Sequence, residues 1–322
     1  MPMIRTAPAL LAALLVAAPA SAQTAANASF VTLGTMGGPV PSATRSQPAN
    51  LLLHGADAYL VDCGDGAVEQ LAKAGVLLPQ VRAVFLSHLH ADHTGGLGAV
   101  LGLRNQTNVR DTLTVYGPPG TKALVDGIVA SMEPAARAGY GIPGQPWAPP
   151  ASTVTVVELG DAARLSVGGM TVTTAQNTHY DFAPGSAEDR AYKSLSLRFD
   201  LPGRSIVYTG DTGPSPAVER LAKDADLLVS EMIDVAGTMD VVRRTAPNLP
   251  EPARQQLLRH LTTHHLTPQD VAALAQRAGA KAVVITHFAA GADNPARTAG
   301  YLETIGRTYK GPVRIARDLD RF

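Results

Sequence analysis

The sequence predicts an α/β fold, and three observations carry that expectation. Apolar segments of strand length, rich in Val, Leu and aromatic residues, alternate with short helical segments in two similar halves. The 30 glycines and 24 prolines among 322 residues supply the many turns such alternation needs. Hydrophobic residues reach 45% and charged residues only 17%, so the chain can bury a core and is not disordered.

In chain order, 30–33, 50–54, 59–62 and 83–87 read as strands bounded by Gly or Asn, and 67–74 and 122–132 as helices. A β meander follows at 154–159, 164–167, 171–175, 194–199 and 205–209, with Gly168-Gly169 turning the chain between two of its segments. Segments 217–223, 253–261 and 268–278 read as helices, the last with Pro268 suited to a first turn. Segments 227–230 and 282–286 are short apolar strands that end at polar residues. Residues 134–150 hold five prolines, three glycines, Tyr140 and Trp147, so irregular structure is expected there: a lid or binding loop, or a plain surface excursion.

The first 22 residues read as a signal peptide. Arg5 is their only charge, an apolar run spans 9–18, and Ala20-Ser21-Ala22 is a small-x-small cleavage site. The run is shorter than the roughly 20 apolar residues of a spanning helix, and a retained anchor is the alternative. Residues 23–322 are then expected to form one domain, periplasmic or secreted, with no membrane association after cleavage. Nothing in the sequence fixes the oligomeric state, and a homodimer is compatible with it.

Lys plus Arg is 27 and Asp plus Glu is 27, a balance that argues against a dedicated nucleic-acid or anionic-membrane binder. The single cysteine, Cys63, excludes an intramolecular disulfide and a cysteine-based zinc cluster, and reads as a small buried hydrophobe. Nine histidines remain.

Four of the strongest ligand candidates stand in Ser87-His88-Leu89-His90-Ala91-Asp92-His93, directly after an apolar strand. Neutral imidazole and carboxylate are the ligands a catalytic Zn²⁺ takes when no thiolate is on offer. On a tight loop, His88, His90, Asp92 and His93 can face two neighbouring ions. Further candidates recur at strand ends: His179 after 171–175, Asp211 after 205–209, and His287 after 282–286. A carboxylate such as Asp211 can bridge two cations, which an imidazole cannot. Asp62, at the end of the strand before the metal loop, can accept the distal N–H of a ligating histidine and fix its tautomer. The Gly-rich segment 33–38 lacks the Lys-Ser/Thr of a phosphate loop and reads as a turn near the site.

The HxHxDH pattern, a later His, an Asp after a strand and a final His resemble the signature of the metallo-β-lactamase superfamily. Together with Leu33-Gly34-Thr35, Val61-Asp62-Cys63-Gly64-Asp65-Gly66, Tyr116-Gly117-Pro118-Pro119-Gly120-Thr121 and Ile285-Thr286-His287-Phe288, they look like the branch of RNase Z and the arylsulfatases similar to it. The likeness runs from about Phe30 to Val313. It implies an αββα sandwich, two packed β-sheets with helices outside. It implies two Zn²⁺ ions per chain, one held by His88, His90, His179 and Asp211, the other by Asp92, His93, Asp211 and His287. Manganese and iron share such ligand sets. The branch also implies a Glu–His dyad, matched by Glu231 and His265, whose His protonates a leaving oxygen. Ser230 stands where relatives often carry another His, a departure from the pattern. His260 and His264, at an amphipathic helix end, read as solvated rather than as a further metal pair.

The chemistry of such a site is metal-assisted hydrolysis, with a water shared by both ions as nucleophile and Asp92 orienting it. Two substrate classes are expected: phosphodiesters or aryl sulfate esters, whose anionic tetrahedral centres suit a two-metal clamp, and alternatively acyl compounds, as in a lactonase or β-lactamase. Asp211 disfavours the true β-lactamases, and the full ligand set disfavours a non-catalytic protein. Only Lys122 and Arg137 are basic between residues 120 and 153, where RNA-processing relatives project a gripping arm. With export, that predicts a small-molecule ester substrate and no nucleic-acid partner.

Overall fold

The computed structural model describes residues 28–141, 143–144, 148–289 and 294–322; the signal segment and Trp147 lie outside them. Fourteen strands form two seven-stranded sheets among the described residues. The first contains β1 (Ala28–Gly34), β2 (Ala49–His54), β3 (Asp57–Cys63), β4 (Val81–Phe85), β5 (Leu113–Gly117), β6 (Val154–Glu158) and β14 (Asp320–Arg321), in the order β14-β1-β2-β3-β4-β5-β6. The second contains β7 (Arg164–Val167), β8 (Met170–Gln176), β9 (Leu195–Leu201), β10 (Arg204–Tyr208), β11 (Leu227–Ile233), β12 (Val283–Ala289) and β13 (Val313–Ile315), in the order β13-β12-β11-β10-β9-β8-β7. The helices are α1 (Ala67–Lys73), α2 (Ala91–Thr94), α3 (Leu97–Gln106), α4 (Thr121–Arg137), α5 (Ala187–Ala191), α6 (Pro216–Leu221), α7 (Val235–Thr245), α8 (Glu251–Thr263), α9 (Pro268–Ala278) and α10 (Pro295–Thr308).

Three apolar layers stack these elements. Phe30, Leu52, Tyr59 and Phe85 of the first sheet meet Val172, Leu197, Phe199 and Ile206 of the second between the sheets. Leu51, Leu60, Val84 and Val115 face outward onto Leu71, Leu101 and Val125 of α1, α3 and α4. Val207, Leu228 and Ile285 face outward onto Val218, Val271, Leu274 and Ile305 of α6, α9 and α10. Both faces of the central strands are therefore covered, which is why they read as continuous apolar runs rather than as alternation. This is the αββα sandwich that the sequence resemblance implied.

Local signals fix most of the elements. In α9, Thr267 and Asp270 form a capping box, Pro268 fills the first turn, and Gly279 closes the helix at φ 66°. The expectation of irregular structure over 134–150 fails at its beginning: Pro134 lies inside α4, which continues to Arg137. One proline in the last turn of a 17-residue helix removes a single backbone bond, and Val125 and Ala136 still bury its apolar face. Helices α3, α7 and α10 escape single-sequence reading because Gly98 and Gly102, or Val and Thr, dilute the helical pattern.

Candidate metal centre and active cavity

All the candidate ligands emerge at one edge of the sandwich because of strand direction. Strands β3 and β4 are parallel, as are β10, β11 and β12, while β8 and β10 both pair antiparallel with β9. Their carboxyl ends open together, and Asp62, His88–His93, His179, Asp211, Glu231 and His287 stand there. Two β-bulges refine the aim. Asp62 interrupts the β2–β3 register at φ 58°, and His287 interrupts the β11–β12 register at φ 45°. Left-handed backbone at a non-glycine residue costs roughly 1–2 kcal/mol, and both residues spend it on a side chain turned into the site. Gly64 lets the turn after β3 close on α2, since a Cβ there would sit 2.2 Å from the Asp92 carbonyl oxygen.

Seven side chains gather into two groups around Asp211. His88 Nε2 and His179 Nε2 lie 3.0 and 3.2 Å from His90 Nδ1, and Asp211 Oδ2 faces them at 4.0 Å from His88 and 3.9 Å from His179. Asp211 Oδ1 lies 3.3 Å from His93 Nε2 and 3.2 Å from His287 Nε2, and Asp92 Oδ2 is 3.7 Å from each of those nitrogens. Each oxygen of one carboxylate thus addresses a different histidine set.

A divalent ion fits both groups. His93 Nε2 and Asp211 Oδ1 are buried with no hydrogen-bond partner among the described residues, an arrangement that a cation between them resolves. The nitrogens of His88, His90 and His179 crowd together within 4.8 Å, and burial holds the imidazoles of His88 and His90 below their usual pKa, in the neutral form that binds metal. Burial likewise pushes His179 down to about 3. Asp211 is held well below the usual carboxylate range: burial raises it, but His287, His93 and His88 outweigh that.

Supporting contacts orient the histidines. Asp62 accepts from Ser87 N–H at 2.7 Å, Ser87 Oγ at 2.8 Å and Tyr208 O–H at 2.8 Å, and its Oδ2 lies 2.7 Å from His93 Nδ1. The fully buried carboxylate therefore holds His93 with Nε2 pointed at Asp211, the role read from its position in the sequence. His179 Nδ1 meets the His264 carbonyl at 3.2 Å, which leaves its Nε2 for the cluster. Tyr208 and Ser87 were not singled out from the sequence; their places beside the strand-end aspartates were the available signal.

Glu231 and His265 form a dyad beside this cluster. His265 Nδ1 lies 2.8 Å from Glu231 Oε2, and Glu231 Oε1 accepts from Thr212 N–H at 2.6 Å. Burial lowers the His265 pKa, but Glu231 overrides it and the imidazole is raised to about 9. Its ring lines the cavity, with Nδ1 taken by that carboxylate. Ser230 donates to the Glu231 carbonyl at 2.8 Å and takes no part in the cavity. Cys63 is fully buried and its thiol pushed up by burial, as a structural residue.

The reading of His260 and His264 as solvated is corrected. Helix α8 crosses the cavity, so His260 is half-buried with its ring 5.5 Å from His179 and 5.3 Å from His265, and His264 Nδ1 meets the Thr178 carbonyl at 2.7 Å. The amphipathic face taken for the solvent side is the face turned to the site. The Gly-rich turn does lie at the site: Gly38 N–H is 3.4 Å from His287 Nε2.

Residues 58–288 match the family described as beta-lactamase superfamily domain. A Ribonuclease Z of Mycobacterium sp. (strain KMS) is 34% identical over 262 residues, 80% of this chain and 83% of that protein. Among solved structures, the metallo-β-lactamase-fold protein YhfI of Bacillus subtilis superposes with a TM-score of 0.63 at 20% identity, over 92% of this chain and 98% of that one. Human tRNase Z, short form, superposes with a TM-score of 0.61 at 23% identity, over 91% and 98% of the two chains. The exclusion of a nucleic-acid partner does not survive a relative at this identity named Ribonuclease Z. That expectation rested on the overall charge balance, on export and on the two basic residues between 120 and 153, whereas bound divalent ions would themselves supply positive charge for a phosphate.

Proposed function

Because the chain belongs to the metallo-β-lactamase superfamily, a group of metal-dependent hydrolases, we propose that it is a dinuclear phosphodiesterase. His88, His90, His179 and Asp211 would hold one divalent ion, zinc in the first instance, and Asp92, His93, Asp211 and His287 the other. The observation that carries the reading is the single carboxylate of Asp211 with one oxygen toward each histidine set. Two divalent ions bound there would supply an activated water and a positive clamp on the phosphoryl oxygens.

The chain's own residues do the rest. Asp92 orients the attacking water by accepting its hydrogen bond, and Asp62 keeps His93 in the tautomer the centre needs. His265 donates its Nε2 proton to the departing oxygen, and Glu231 keeps that imidazole charged and aligned. RNA phosphodiesters are candidate substrates through the relatives' name. Aryl sulfate esters are a second reading, favoured by the apolar wall of the cavity described below. Export is part of the proposal, on the strength of the Ala20-Ser21-Ala22 site.

The experiment is a panel on the purified, zinc- or manganese-loaded protein: bis(4-nitrophenyl) phosphate, a structured RNA, 4-nitrophenyl sulfate, a lactone and a cephalosporin. Turnover of phosphodiesters is the expected result. Turnover confined to the lactone or the cephalosporin would replace this reading with an acyl hydrolase.

A further inference from the structure

The metal cluster opens into a cavity of about 580 Å³ whose far wall is apolar. Met36 and Val40 line it from the turn after β1, Met232 from the end of β11, Val242 from α7, and Leu257 and Leu261 from α8. No Lys or Arg is among its described lining residues. Apart from the ligands and the dyad, the polar side chains of the described lining are Thr238 and His260. The wall therefore carries no fixed cation for a second anionic group and gains most from an uncharged group that leaves water.

The wall and the acid are built by one stretch of chain. Leu257 and Leu261 lie on α8, and His265 follows that helix by two residues. The opposite wall is fastened to the ligand strand, since Met36 bridges to Phe288 and the Gly38 N–H approaches His287. Val242 and Leu257 thus line the same cavity as the ligand cluster and His265.

We propose that this chamber binds the aryl or alkyl alcohol that departs from a phosphate diester, and so selects substrates with an apolar leaving group. The inference rests on the phosphodiesterase reading above. In the reaction, the water oxygen bonds to phosphorus and the P–O bond to the chambered alcohol breaks with its electron pair on that oxygen. His265 Nε2 gives that oxygen its proton, and the proton lost by the water restores the imidazolium. The products are the apolar alcohol and a phosphate monoester.

Two measurements test the chamber separately from the activity. Benzylphosphonate and methylphosphonate carry the same anionic head, so the ratio of their dissociation constants on the zinc-loaded protein reads the chamber alone. Benzylphosphonate should bind at least about tenfold more tightly. In Val242→Asn the ratio should fall toward one, and in Leu257→Ala part of the way, with metal content by elemental analysis showing that each variant has folded. Equal affinities in the unmodified protein overturn the proposal even if phosphodiesters are hydrolysed. A preserved benzyl preference with no phosphodiester turned over would instead sink the phosphodiesterase reading and leave the apolar site standing. The direction of seating is read with benzyl methyl phosphate, whose two alcohols are leaving groups of similar quality. Release of benzyl alcohol and methyl phosphate is expected, and release of methanol and benzyl phosphate would put the apolar group on the wrong side of phosphorus.

Discussion

The strand ends that carry the histidines and aspartates are bedded in two sheets and in one another's hydrogen bonds; the helical roof of α7 and α8 rests on much less. Asp62 alone gathers four contacts beneath the metal loop, all within 2.8 Å and all buried. The roof packs through Ile233, Met239 and Leu261, with Val235, Leu257 and Leu258 at the margin. Polar tethers stand at its two ends: Asp234 caps α7 at Gly237 N–H and accepts from Arg297 and the Tyr301 hydroxyl of α10, and His264, which ends α8, meets the Thr178 carbonyl. The difference separates two tasks. The chemistry sits where the backbone is over-determined, and the chamber wall where repacking is tolerated.

The largest expected effect strikes the over-determined half. Asp211→Ala removes an oxygen from both histidine sets, so elemental analysis should find both ions depleted and activity down by more than the ~10–100-fold typical of losing a supporting residue. His287→Ala should deplete one ion and leave the other. Unchanged metal content in Asp211→Ala would break the view of this carboxylate as the shared element.

Much of that half was legible in the sequence, and the reason is local. Three histidines and an aspartate in Ser87–His93 must act within one loop whatever the rest of the chain does. Asp62, Asp211 and His287 each follow an apolar run, so strand geometry alone brings them to an edge. Of the roof, α8 was legible as a helix over 253–261, but its place over the cavity was not, because that meaning lies in convergence. Met36, and Val242 and Leu257 some two hundred residues later, touch one cavity from distant stretches of the chain. Val235–Thr245, with its Val and Thr residues, shows no propensity that names it a helix. His260 shows the same limit: its spacing puts it on the helix face of Leu257 and Leu261, and only the crossing of α8 over the cavity shows that this face meets the site.

A middle-sized effect lies on the seam between the two regions. His265→Ala should keep its metals and slow alkyl phosphodiesters by about 10²–10⁴-fold, while 4-nitrophenyl esters, which need no acid, lose far less. The pH profile sharpens this. The imidazole is raised to about 9, so its acid form is full below that value, and the rate on alkyl esters should fall as pH rises through about 9. Glu231 is the group that raises it, so Glu231→Gln should move that falling limb to lower pH. Metal loss in His265→Ala, or equal slowing of all leaving groups, would return His265 to the ligand or substrate-binding class.

The smallest effect on catalysis is expected from the roof's own packing. Met239 is 6% exposed, packs with Ile233 and Leu261, and does not line the cavity. Truncating a buried Met to Ala costs roughly 2–5 kcal/mol. Here that cost should fall on a local opening of α7 and α8, because their cluster is separate from the three layers that hold the sheets. Amide exchange in α7 and α8 should then quicken by at least about thirtyfold in Met239→Ala, while exchange in β11 and β12 stays near its original rate. Metal content should be unchanged, and turnover of a methyl ester, which has no use for the chamber, nearly so. If Met239→Ala instead released metal, or quickened exchange in β12 as much as in α7, the roof and the ligand frame would be one cooperative unit. The two regions would then owe their different roles to chemistry alone, and not to any difference in how firmly the fold holds them.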